Sequence, residues 1–104
     1  MNTYTAALCP PLAQWRTTHD HYATIFSTRF GVYLLKILRF HVASPFVPRG
    51  SAMACVYTYD PSNTRLRLPT RKGEGRRLPI TFYGGTVDDV YAQLLLMTQK
   101  MLHG

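Results

Sequence analysis

Acidic side chains are scarce in this chain. Five Asp and Glu stand against twelve Lys and Arg, which leaves a formal net charge of +7 over 104 residues. Nine of the twelve basic residues are Arg, the side chain suited to planar, two-pronged phosphate contacts. A basic excess of this size on a small domain is common in nucleic-acid binders. The alternative is a basic protein that is merely soluble, or a subunit facing an acidic protein.

Cysteine is also rare. Cys9 and Cys55 do not make a disulfide framework, and neither belongs to a CxxC pair or a Cys/His cluster with zinc spacing. A reducing compartment follows, and a cytoplasmic location is the expectation. No uninterrupted apolar run approaches the ~18 residues that a membrane helix needs. The longest candidate, residues 30–43, is broken by Lys36, Arg39 and His41. No membrane partner is expected. The first 52 residues hold one acid, Asp20, against five basic residues. That balance matches a mitochondrial presequence in composition and makes a mitochondrial location the alternative.

Chemistry-bearing clusters are thin as well. Asp88 and Asp89 are adjacent, so on a helix they point about 100° apart and serve better as first-turn acids. His19 and His21 flank Asp20, and positions i and i+2 do not share a helix face. Cys55 lacks a neighbouring base, and Gly84-Gly85 is not followed by the Lys-Ser/Thr of a phosphate-binding loop. No catalytic residue, metal ligand, cofactor or small-molecule substrate is assigned.

What the chain does have is enough apolar residue, 46%, for a single core in a single domain spanning residues 1–104. Pro10-Pro11 can open a helix. Leu12, Trp15, Tyr22, Ile25 and Phe26 then recur at helical spacing, which predicts an amphipathic helix over residues 11–28. Gly31 breaks it. Residues 32–42 are β-branched and aromatic and read as a strand, apolar on both faces apart from Lys36 and Arg39. Residues 43–63 carry Pro45, Pro48, Gly50, Pro61, Ser62 and Asn63 and read mostly as loop, with an extended piece over residues 54–59. Within this loop Val47-Pro48-Arg49-Gly50-Ser51 matches the protease site left by many expression vectors. Residues 47–54 are therefore either a natural loop or a join.

Alternation of period two marks two further strands, residues 64–68 and 77–83. It puts Leu66, Leu68, Leu78, Ile80 and Phe82 on buried faces and Arg65, Arg67, Arg77, Thr81 and Tyr83 on the other sides. Thr86 caps a final helix with a wide apolar stripe from Val87 to Leu102. The fold class expected is α+β, in the order α-β-β-β-α, with a three-stranded antiparallel sheet packed on two helices.

The densest charge lies between the last two strands. Six of the twelve basic residues fall within residues 65–77, against Glu74 alone. Their mutual repulsion costs stability unless a polyanion meets them, and each phosphate neutralised would release counterions. The plain alternative is a solvated hairpin tip. Tyr83 beside these arginines either stacks a base or packs on the neighbouring loop.

The stretches Gly31-Val32-Tyr33-Leu34-Leu35-Lys36, Pro45-Phe46-Val47-Pro48-Arg49-Gly50, Leu66-Arg67-Leu68-Pro69-Thr70 and Val90-Tyr91-Ala92-Gln93-Leu94-Leu95, with the turn from Lys72 to Arg77, carry a resemblance. In order and spacing the chain resembles the Alu-domain proteins of the signal recognition particle, most nearly their fourteen-kilodalton member. The resemblance implies a heterodimer whose joined sheets present a basic face to RNA. It would place Arg71, Lys72, Arg76 and Arg77 on phosphates, with Arg65, Arg67, Lys36 and Arg39 on or near the sheet. Two departures stand out: Glu74 and two glycines interrupt the basic turn, and the sequence ends at Gly104 without a basic tail.

The function expected is that of a non-enzymatic RNA-binding subunit of a ribonucleoprotein. The alternative is a protein-interaction or assembly subunit of a larger complex, an organellar one included. The partners expected are RNA and a protein, as a hetero- or homodimer.

Overall fold

A computed structural model describes residues 9–19, 21–40, 50–60 and 74–103. A 3-10 turn at Leu12–Gln14 leads into five strands: β1 (Arg16–Thr17), β2 (His21–Thr28), β3 (Gly31–Arg39), β4 (Ala52–Tyr59) and β5 (Glu74–Gly84). The helix α1 (Val87–His103) follows. The strands form one antiparallel sheet in the order β1-β2-β3-β4-β5, each beside its neighbour in sequence.

This corrects the expected α-β-β-β-α order. The sheet has five strands, and α1 is the one α-helix among the described residues. The predicted helix over residues 11–28 is instead the 3-10 turn, β1 and β2. Its apolar spacing fits a helix, but Thr24, Ile25 and Thr28 are β-branched, and Tyr22 and Phe26 are aromatic. Such side chains lose rotamer freedom against a helical turn and fit a pleated surface better. In β2 the residues 22, 24 and 26 face one way, and Ile25, expected on their stripe, faces the other. The extended piece expected over residues 54–59 is a full strand in the sheet interior, with Ala52, Ala54, Cys55 and Val56 buried. The strand predicted over residues 64–68 lies outside the described residues, as do residues 41–49 and 61–73.

Pairing defines two faces. Ile37 sits opposite Tyr22 and Ala54, and Ala54 opposite Phe82. This row and its alternate neighbours carry α1, whose Val90 and Leu94 are fully buried. Phe26, Leu35, Ile37, Val56, Val90 and Leu94 form the heart of the core, with Leu78, Ile80 and Phe82 packed against it. Each large apolar side chain buried there contributes about 1.5–3 kcal/mol. Asp89 N donates to Thr86 Oγ1 at 3.1 Å, so Thr86 is the helix cap. Gly84 lets the helix start close to the sheet, since a Cβ there would lie 2.8 Å from the Asp89 Cβ. At the other end of the core, Pro10 O accepts from Trp15 Nε1 at 3.0 Å and from Tyr91 Oη at 3.1 Å. The two rings meet edge to face at 5.8 Å, pinning the N-terminal segment to α1.

The second face is buried at its centre too. Leu34, Lys36 and Cys55 lie there, each 5% exposed or less. The Lys36 ammonium lies over the Tyr57 ring, 5.2 Å from its centroid, and reaches Glu74 at 2.8 Å. This contact ties β3 to β5 across the strand between them. Its side chains are 6% and 17% exposed, so neither charge is fully solvated.

Near Glu74 the ladder between β4 and β5 slips twice, between Cys55 and Tyr57 and between Tyr57 and Tyr59. Pro79, which has no N–H to give a ladder, falls in the first irregularity. Gly75 falls in the second. A Cβ on Gly75 would collide with Thr58 Oγ1 and come within 2.7 Å of the Thr58 carbonyl oxygen. The backbone closes in because Arg76 N donates to Thr58 Oγ1 at 2.8 Å.

Two outcomes are expected in denaturant titrations. Gly75→Ala should destabilise the fold by about 1–3 kcal/mol, because the clash is with backbone that has little room to move. Glu74→Gln should cost about 2–4 kcal/mol by leaving Lys36 buried without its counter-charge, whereas Lys36→Met with Glu74→Leu should lie within about 1–2 kcal/mol of wild type. A double variant as unstable as Glu74→Gln would contradict this account of the ion pair.

Candidate functional site

On the second face the register aligns the side chains in rows. His21, Leu38, Met53 and Tyr83 form one row. Arg16, Ala23, Lys36, Cys55 and Thr81 form the next, and Ile25, Leu34, Tyr57 and Arg77 the third. The centres of the second and third rows are more buried than their ends. Arg16 is exposed at the β1 side, and Arg77 and Tyr83 are exposed at the β5 side. The two margins lie roughly 20 Å apart, four strand spacings.

The residues expected to contact RNA do not all share a surface. Arg77 and Tyr83 do: both stand on the second face of β5, and Tyr83 is 66% exposed. The Arg77 guanidinium donates to Thr81 Oγ1 at 3.0 Å, which holds it along β5. Arg76 is exposed beside them, its backbone held by Thr58. Lys36 is on the same face, but its ammonium is buried against Glu74. Arg39 pairs with Ala52 on the side that carries α1. Arg65, Arg67, Arg71 and Lys72 lie outside the described residues.

Two residues are not legible in the sequence as parts of this surface. Arg16 joins the second face through a strand of two residues that the spacing assigns to a helix. Glu74, which reads as an interruption of a basic turn, is the counter-charge of Lys36. A carboxylate two or three residues before a pair of arginines is the available signal, but which cation it meets depends on the slipped register.

Neither cysteine is suited to nucleophilic work. Burial pushes the Cys9 thiol up to about 11, so it stays protonated at neutral pH and is a poor nucleophile. The nearby Tyr91 hydroxyl is raised first by burial and then by the adjacent Cys9, with a backbone hydrogen bond at Leu12 working the other way. Cys55 is fully buried. Among the described residues, no group of three or more His, Cys, Asp or Glu could hold a metal ion, and no helix is long and apolar enough to cross a membrane.

The arrangement that results is a helix-backed sheet with one cationic and aromatic margin on its other face. Comparison with protein-family models, with curated proteins and with solved structures finds no match for this chain.

Proposed function

We propose that this chain is a non-enzymatic RNA-binding subunit of a ribonucleoprotein, and that the second face of the sheet at β5 meets the RNA. The observation that carries the reading is the joint exposure of Arg77 and Tyr83 on one face of one strand, with Arg76 beside them. Arginine supplies phosphate contacts that are insensitive to sequence. An exposed tyrosine on a sheet supplies a flat apolar surface on which an unpaired base stacks. The overall charge of +7 draws a polyanion to the domain, and α1, the one α-helix among the described residues, packs on the opposite face.

A second reading, an assembly subunit that docks another protein, draws on a different place. Ile25, Phe30 and Val32 are exposed together around the turn that joins β2 to β3. Arg29 lies 4.9 Å from the centroid of the Phe30 ring there.

Affinity for a loop-containing RNA, measured over a salt series, distinguishes the two. Arg76→Ala with Arg77→Ala should lower the slope of log affinity against log salt by about 1.4, at ~0.7 per phosphate contact on a single strand. Tyr83→Ala should cost about 1–3 kcal/mol of affinity without changing that slope, and Tyr83→Phe should restore most of it. Variants that bind like the wild type would remove this surface from the RNA interface and leave the docking reading.

A further inference from the structure

Among the described residues the outer edge of β2 is nearly bare. Its partner β1 has two residues, which sit opposite Tyr22 and Ala23. Beyond them, residues 24–28 have no strand on the side away from β3 among the described residues. Exposed sheet edges are ordinarily blunted by charge, proline or bulges, because their unpaired N–H and C=O groups recruit another strand. The opposite edge follows that rule: β5 carries Arg76, Arg77, Pro79 and both register slips. β2 has none of these. Its eight residues, His21 to Thr28, include no Lys, Arg, Asp, Glu, Pro or Gly. Ile25, on this edge, is 46% exposed, and Val32 and Phe30 extend the apolar surface beside it.

We propose that residues 24–28 pair with the same residues of a second copy of this chain, antiparallel, about a two-fold axis at Phe26. Thr24 then lies opposite the partner's Thr28, and Ile25 opposite the partner's Ser27. The free stretch is bounded by β1 at one end and by the β2–β3 turn at the other. A longer strand would run into β1, whereas the stretch matches its own length when turned about its centre. An acidic peptide would suit the charge of the whole chain, but this segment has no basic side chain to recognise one. A two-fold pairing also keeps like faces together, since residues of equal parity meet across antiparallel strands. The two second faces become one, with the Arg77 and Tyr83 margins at its far ends. The proposal does not rest on RNA binding, and its salt dependence has the opposite sign. Two copies of charge +7 repel, so salt strengthens this association by screening, whereas it weakens a contact with phosphates.

Light scattering on RNA-free protein over a concentration series, at low and high salt, is the test. The expected mass rises with concentration towards twice 11.9 kDa, more readily at high salt. Ile25→Lys and Ser27→Glu, each at an exposed position and each checked for folding by circular dichroism, should both halve it. An equimolar mixture of the two variants should recover the dimer, because the ammonium introduced in one copy then faces the carboxylate introduced in the other. A wild type that stays monomeric throughout would overturn the proposal, as would an unchanged mass in either variant. Failure of the mixture to recover would overturn the axis at Phe26.

Discussion

The contact between Lys36 and Glu74 sets the charge pattern of the second sheet face. Removing a lysine ammonium from water is expensive, and it is tolerated here because the carboxylate lies 2.8 Å away and the Tyr57 ring lies beneath. The two residues are 38 positions apart in the chain and two strands apart in the sheet. Their meeting helps to fix where the irregular start of β5 lies alongside β4. Glu74, Gly75, Arg76 and Arg77 are consecutive, so anchoring the first helps to place the last. The slips in the β4–β5 ladder, the close approach at Gly75 and the outward position of Arg77 belong to the same short segment.

This local balance alters what the net charge means for a ligand. Among the described residues the cations are not spread evenly over the sheet. One cation is held inside, Arg39 lies on the helix side, and Arg16 and Arg77 stand at opposite margins of the other face. A ligand at the β5 margin of that face would meet Arg76, Arg77 and the exposed Tyr83 ring together, because the centre of the face is buried. Such a surface suits a chain with both phosphates and exposed bases, which supports the RNA reading over simple attraction to any polyanion.

Legibility in the sequence follows the range of the interactions involved. The final helix is plain because its cap, its first-turn acids and its apolar stripe all lie within one segment. The alternation of Leu78, Ile80 and Phe82 is equally plain, and these residues do pack against the core. The strand from Gly31 is legible because both its faces are apolar, and both are buried at its centre. Residues 11–28 mislead because seven positions separate Trp15 from Tyr22, a spacing that suits two helical turns. The same residues serve a turn and two strands once β3 offers a partner. The strand at Ala52–Tyr59 is obscured by the prolines and the glycine that flank it, although its own residues are apolar enough to fill the sheet interior. Of the candidate site, Arg77 and Tyr83 follow from alternation alone. The burial of Lys36 does not, since it depends on a register that slips twice.

The central claim is that RNA contacts the β5 margin of the second face. Ultraviolet crosslinking of bound RNA, followed by mass spectrometry of the attached peptides, tests it most directly. Crosslinks should concentrate on Tyr83 and the β5 peptide around Arg76 and Arg77, and should disappear as salt is raised. Crosslinks confined to the exposed side of α1, or spread without preference over the surface, would contradict the account.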